Sequence, residues 1–412
     1  MVIGGGHAGL AISHYLSALS VDHVVLERGE MANSWRRERW DSLRLLTPNW
    51  QNGLPGQCYR GTDPDGYMGM AEVVEFIEAY ARRSKAPLHT QTTVTAVSPS
   101  EGGYKVATNR GEWHCRTLVI ATGAFATPVV PAIAQAFPGS IMQLTPHQYR
   151  NPDQLAAGGV LVVGAAASGS QIAEEIQHSG RQVTLAVGEH VRMPRSYRGR
   201  DIQYWMHHLD LLDESIEDVD DIDRVRGLSS PQLIGTPEKR DLNLNTLSDM
   251  GVKLVGRVAG VQGSRLQFSA SLANVSRLAD LKMLRLLDAI DEAIEQRGLE
   301  ADKRPPQRPE RGRIERSPPL SLNLANSEIK TVLWATGFRP DYSWLEVPVL
   351  DRKGRLRHRG GVVASPGLYV MGLPFMRRRS SSFICGADND ARAITEHLVA
   401  YLTGNSARRR VA

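Results

Sequence analysis

Apolar residues recur along this chain in short runs, each followed by a stretch with helical spacing. Met1-Val2-Ile3 runs into a glycine cluster, and Leu10, Ala11, His14, Tyr15 and Leu16 then fall on one face of a helix over Ala8 to Ser20. Asp22 to Glu27 reads as a short apolar strand ending in an acid. Met70 to Arg83 is a helix with Val73, Val74, Phe76, Ile77 and Tyr80 on its apolar side, and strands follow over Thr92–Val97, Tyr104–Ala107 and Trp113–Ala121. The strand–turn–helix–strand unit then recurs: Val160–Val163, a helix over Gln171–His178, and a strand over Gln182–Val187. Asp280–Arg297 has the pattern of an amphipathic helix, Lys330–Ala335 and Gly367–Gly372 read as buried strands, and Asn389–Leu402 as a closing helix. This alternation predicts an α/β protein with parallel sheets. Between these elements, 31–66 is long and rich in Trp, Arg, Pro and Gly. The Pro-rich stretch 124–158 suits a domain crossing, and 302–319 suits an exposed loop.

Each repeat carries a glycine turn between its strand and its helix. The first has Gly4, Gly6 and Gly9. In such a turn the first glycine allows the bend, the second admits a pyrophosphate, and the third lets helix and strand pack closely; the helix N-terminus faces the phosphate charge. Glu27 stands at the spacing of a carboxylate that bonds a ribose 2′-hydroxyl. Only three residues precede Gly4: either the start is misplaced or the first strand is a stub, and a stub predicts a loosely held cofactor. The second turn has Gly164, Ala166, Ser168 and Gly169, with a methyl group where the second glycine belongs. Gly188 and Glu189 follow its second strand, and Arg192, Arg195, Arg198 and Arg200 crowd the loop beyond. Because a guanidinium fork suits phosphate, Arg195 is read as the contact to an NADP 2′-phosphate. Ala121-Thr122-Gly123 and Ala335-Thr336-Gly337 each close an apolar strand in register with a turn. Two turns imply two dinucleotides, and so a transfer of reducing equivalents between them. The expected architecture is two dinucleotide-binding Rossmann-like domains: a discontinuous one (1–150 and 328–412), which the resemblance given below implies is the FAD domain, with an inserted NAD(P)H domain (151–327).

Composition narrows the classes. Hydrophobic content of 42% and charged content of 23% are those of a globular protein, and no apolar run is long enough to span a bilayer. The N-terminus lacks the basic flank and cleavage site of a leader, so a cytoplasmic location is expected. The net charge is +5. Basic clusters at 192–200, 303–316, 377–379 and 408–410 read as a solvated, Arg-rich surface, and no nucleic-acid partner is expected. Cys58, Cys115 and Cys385 form no Cys-x-x-Cys pair. No metal site is expected either, since His207 and His208 are adjacent and point apart on a helix.

Further segments join the two turns: Ser34-Trp35-Arg36-Arg37-Glu38-Arg39-Trp40-Asp41-Ser42-Leu43, Leu46-Thr47-Pro48, Tyr149-Arg150-Asn151-Pro152, Tyr197-Arg198-Gly199-Arg200-Asp201 and Trp334-Ala335-Thr336-Gly337-Phe338-Arg339-Pro340-Asp341. Over essentially the whole chain, the set resembles the flavin-containing monooxygenase superfamily of class B flavoprotein monooxygenases, in the style of its bacterial NAD(P)/FAD-dependent oxidoreductases. The resemblance implies FAD on the first turn, with Glu27 on the ribose, Trp35 near the flavin, Val94 by the adenine and Thr122 near the pyrophosphate. Arg28 and Gly123 join that set, and Gly372 and Asp388 approach the flavin. NADPH would lie on the second turn. The implied activity inserts one oxygen atom of O2 into a small molecule, at N or S or a carbonyl, through a C4a-(hydro)peroxyflavin. Trp35, Trp40, Thr47 and the 55–66 loop are expected on the substrate side. No nucleic acid or membrane partner is implied, and a homodimer is left open. The family's Phe-x-Gly-x-x-x-His fingerprint, whose His links the domains, reads here Phe137-Pro138-Gly139-Ser140-Ile141-Met142-Gln143; anchored on Tyr149-Arg150 instead, Thr145 takes that place, with His147 out of register. With Ala166, this keeps two alternatives open: an NAD(P)H-dependent flavin reductase or oxidase that releases peroxide, and a non-catalytic flavin-binding regulator.

Overall fold

A computed structural model describes residues 1–299, 306–315 and 317–409, with side chains through Gly404. Lys303, Arg304, Arg316 and Arg410 of the basic clusters lie outside the described residues. In the first sheet Val2–Ile3 is flanked by Val25–Leu26 and Leu118–Ile120, all parallel. Leu88–His89 lies outside Val25–Leu26. Beyond Leu118–Ile120 come Leu368–Val370, in parallel, and then the antiparallel Val362–Val363 and His358–Arg359. The central strands are buried on both sides, which is why they read as continuous apolar runs rather than alternating ones. The helices His7–Ala18 and Ala387–Arg409 pack on each other beside this sheet. The first strand is as short as its sequence suggested, yet it is held on both edges, and the Met1 amino group bonds the Thr117 carbonyl.

The single strand expected over Trp113–Ala121 is two. Gly111–Cys115 belongs to an antiparallel meander with Val94–Ser100 and Gly103–Thr108, whereas Leu118–Ile120 enters the parallel sheet. The break falls where half-exposed positions give way to three fully buried ones.

The second sheet is parallel, in the order Lys253–Gly256, Val183–Val187, Gly159–Val163, Ile329–Trp334, Met142–Leu144. Two of its strands lie outside the expected limits 151–327, so the boundaries at 150 and 328 need correction. The chain crosses nearer 127–128 and 338–339, where Thr127–Pro128 and Phe338–Arg339 pair as a two-residue ribbon. The sequence boundary followed the glycine turn and missed Met142–Leu144, a three-residue edge strand with little apolar signal. The helix expected from Asp280 begins earlier, at Leu272, and the helix expected at His207 and His208 spans Ile202–His208. The described part of 302–319 lies against the long helix, with Arg308 paired to Asp288 and Asp291 and the Gly312 amide bonded to Asp280.

Candidate cofactor and active site

The two turns are near copies in backbone. Gly4 has φ +112° and Gly164 φ +107°, values that L side chains rarely adopt. A side chain at Gly4 would collide with the Ala121 carbonyl, and one at Gly164 with the Ala335 carbonyl. The two Ala-Thr-Gly segments therefore do the same job, each setting a strand-end carbonyl against a first glycine. Gly6 caps its helix at φ −79°, ψ −177°, and Ala166 caps the other at φ −77°, ψ −175°. Ala166 thus leaves the turn undistorted. A methyl at Gly6 would meet nothing within 4 Å, so this position faces open space. Neither helix has a side-chain cap, and their N-terminal amides are left for an anion. Glu27 is 8% exposed and accepts from the amides of Gly5 (2.8 Å) and Gly29 (3.0 Å). The residues present fit a dinucleotide at both turns.

One cavity of about 1740 Å3 reaches from His7 in the first turn to the second turn; the glycines of the first turn and Glu27 lie outside its wall. Its wall includes His7 and Trp35 on one side and Gly164, Ala166 and Ser168 on the other. That volume exceeds the roughly 300–1,000 Å3 of an ordinary small-molecule site, so it has room for parts of more than one ligand. His7 lies in the first turn with its Nε2 shielded and without a partner, and burial pushes its pKa down to about 4. The Arg39 guanidinium lies 5.4 Å from the Trp35 ring centroid. Gly372 backs onto Ala8 and brings Leu373, Pro374 and Phe375 to the cavity. Phe375 has φ +47°, an uncommon value for a non-glycine residue. It is held there by Arg226 Nε, which donates to its carbonyl at 3.2 Å, and by Arg379, stacked 5.5 Å from its ring.

Several expected site residues lie elsewhere. Arg195 is wholly buried: it pairs with Asp201 at 2.6 Å, donates to the Leu46 carbonyl at 3.0 Å, and lies 4.9 Å from the Tyr67 ring. It ties the second domain to the first and has no face toward the cavity, which corrects its reading as a phosphate contact. Arg192 is likewise buried against Asp280. Asp388 accepts from the Tyr15 hydroxyl and faces Arg392, so it braces two helices rather than approaching the cavity. Trp40 is 4% exposed in the core of the second domain, and the 55–66 loop takes no part in the cavity wall. Thr47 does line the cavity, with its hydroxyl bonded to Asn52. Arg28 is exposed and paired with Glu38, Val94 packs at the edge of the first core, and Gly123 has φ +78° beside Thr122. Gln143 accepts from Trp334 Nε1 at 2.8 Å and donates to the Ala134 carbonyl at 3.0 Å, inside the second domain. His147 instead sits at the crossing, stacked on Phe338 at 4.8 Å and 3.5 Å from Arg39. His207 and His208 do not point apart: their rings lie 5.2 Å from each other, and both meet Trp50. Among the described residues no group of His, Cys, Asp or Glu could hold a metal ion.

The sequence reading missed the walls at 124–133, 225–231, 336–343, 350–358 and 373–384. The available signal was that two of them directly follow an Ala-Thr-Gly segment. The segment 212–226 straps the domains together. Asp213, Glu214, Glu217 and Asp223 pair with Arg378, Arg379, Arg359 and Arg355, and backbone bonds join Leu212, Glu214 and Ile216 to Ser380, Arg379 and Arg377. Burial pushes the Cys115 thiol up and that of Cys385 to about 11, so neither supplies a ready thiolate. Among the described residues no helix is long and apolar enough to cross a membrane.

Comparisons with known proteins agree with this geometry. A family profile described as pyridine nucleotide-disulphide oxidoreductase matches residues 1–214, more than half of the chain. An uncharacterised CzcO-like oxidoreductase of Geobacillus kaustophilus is 29% identical over 97% of both chains. An indole-3-pyruvate monooxygenase of Oryza sativa subsp. japonica is 32% identical over 48% of this chain and 50% of its own. A flavin-containing monooxygenase from Stenotrophomonas maltophilia shares the fold, with a TM-score of 0.69 at 19% identity over 97% of this chain and 98% of its own. The chain belongs to the pyridine nucleotide-disulphide oxidoreductase family and is a flavoprotein oxidoreductase.

Proposed function

We propose that the chain is an FAD-dependent, NADPH-using monooxygenase that delivers one oxygen atom of O2 to a small molecule, at N or S or a carbonyl, in the cytoplasm. One observation carries the reading: two turns fit a dinucleotide, and a single cavity reaches from His7 of the first to Gly164, Ala166 and Ser168 of the second. The flavin, when bound, supplies the redox chemistry, and the protein supplies position and dryness. Gly4, Gly6, Gly9 and the helix start behind them take the FAD pyrophosphate, with Thr122 and Gly123 alongside. Glu27 keeps lone pairs for the ribose, and Arg28 stands next to it. Val94 flanks the adenine, and Trp35 and Gly372 flank the flavin. Gly164, Ala166, Ser168 and Gly169 take the NADPH pyrophosphate. The apolar walls around Phe125, Phe338 and Phe375 exclude water, and His7 stays neutral among them.

Gln143 favours a second reading, a flavin reductase or oxidase that releases peroxide, because its side chain is committed inside the second domain. Counting NADPH consumed, peroxide released and product formed separates the two. The panel should include amines, thioethers and, from the plant relative, an aromatic 2-oxo acid. Product that replaces peroxide with one substrate supports oxygenation; stoichiometric peroxide with all of them refutes it. Failure of NADPH to bleach the flavin anaerobically would leave only a binding role.

A further inference from the structure

The duplicated turn lets one position be compared across the domains. In the first, the strand Val25–Leu26 is followed by Glu27, whose carboxylate bonds the Gly5 amide. In the second, the strand Val183–Val187 is followed by Gly188, which has no side chain to offer. Val187 pairs with Gly256 in the parallel register, so Gly188 and Arg257 leave the sheet side by side at its carboxyl end. Arg257 lies directly beside the place a side chain at 188 would take: its Nε lies 3.6 Å and a terminal nitrogen 3.8 Å from where that Cβ would stand, van der Waals contact. Both residues line the cavity together with Gly164, Ala166 and Ser168. Arg257 is exposed, and no hydrogen bond or ion pair of its guanidinium is formed among the described residues. The arginines of the following loop are committed, Arg192 to Asp280 and Arg195 to Asp201.

The charge at the strand end is thus inverted between the domains, from a carboxylate to a guanidinium supplied by the next strand. A carboxylate suits a ribose that carries a free 2′-hydroxyl; a guanidinium fork suits one that carries a phosphate. We infer that Arg257 holds the 2′-phosphate of the nicotinamide dinucleotide and sets the preference for NADPH over NADH. The assignment rests on the NADPH reading above. Glu189, exposed in the same wall, is the opposing group and would favour the unphosphorylated ribose.

The test is direct binding to the FAD-loaded protein, read by calorimetry without turnover. Adenosine 2′,5′-bisphosphate and adenosine 5′-monophosphate are titrated against wild type, Arg257→Ala and Arg257→Lys. Wild type should bind the bisphosphate at least about tenfold more tightly, the usual scale of a charge-assisted bond. Arg257→Ala should bring the two affinities within about twofold by weakening the bisphosphate alone, and Arg257→Lys should fall between. An unchanged thermal unfolding curve for Arg257→Ala shows that the fold is intact, as its exposure predicts. A wild-type preference that survives Arg257→Ala overturns the assignment alone. Equal wild-type affinities overturn the choice of NADPH and the assignment with it.

Discussion

Replacing Arg195 by Ala should damage the fold and leave nucleotide preference untouched, the reverse of what its loop position suggests. The guanidinium is fully buried, and its loss strands Asp201, whose side chain is only 8% exposed, without its 2.6 Å partner. The Leu46 carbonyl also loses its 3.0 Å donor. Breaking a buried pair from one side costs about 3–5 kcal/mol. Asp201 keeps the Tyr67 hydroxyl and the Gln203 amide, which places the cost toward the lower end, about 3 kcal/mol. Urea unfolding, followed separately by flavin release and by circular dichroism, reads the loss and shows which domain opens first. Asp201→Asn and the double variant complete a cycle, and the double should cost less than the sum of the singles by more than about 1 kcal/mol. A wild-type urea midpoint combined with a lost NADPH preference would refute the reasoning, because Arg195 would then be a phosphate contact after all.

His7 gives a pH dependence with a definite sign. Its folded pKa of about 4 lies below the ordinary 6.5, so the unfolded chain binds more protons in between. The neutral imidazole's full contribution is present above pH 6.5 and is lost as pH falls toward 4, by about 3 kcal/mol in all. His7→Gln should flatten the acid side of a plot of unfolding midpoint against pH; an unchanged slope would remove His7 as the cause. Ala166→Gly should leave NADP+ affinity within about threefold, since both residues take this backbone without strain, and a tenfold gain by titration would show that the methyl obstructs. Gly9→Val should abolish retained FAD, because its side chain would strike the Gly4 carbonyl; protein purified with the wild-type flavin absorbance would contradict the packing.

The strand-and-turn skeleton was legible because buried parallel strands and glycine turns are local signals. Val160–Val163 and Gly164 say the same thing in sequence and in space. Domain limits were not legible, because Met142–Leu144 is a short edge strand and only pairing with Ile329–Trp334 makes it part of the second sheet. The cavity wall was half legible. Trp35 and Thr47 stand in it, but Trp40, with the same composition signal, turned into the core of the other domain. Arg195 and Arg257 show why charge clusters mislead. Four arginines close in sequence drew the phosphate reading, yet burial commits two of them. Arg257, which lines the cavity next to Gly188, comes from a different strand, brought alongside by register.

The strap at 212–226 is the salt-sensitive part of the joint between the two halves, beside the buried tie that Arg195 makes. Its four ion pairs are all partly exposed, and exposed pairs contribute about 0–1 kcal/mol each. With three backbone bonds and one bond to the Phe375 carbonyl, the strap itself contributes a few kcal/mol at most. Ionic strength therefore becomes a control on domain mobility, since the Debye length shrinks from about 10 Å at 0.1 M salt to about 3 Å at 1 M. The Arg226 bond to the Phe375 carbonyl couples the loop at 373–375 to the strap, so salt that weakens the strap should loosen the floor of the cavity with it.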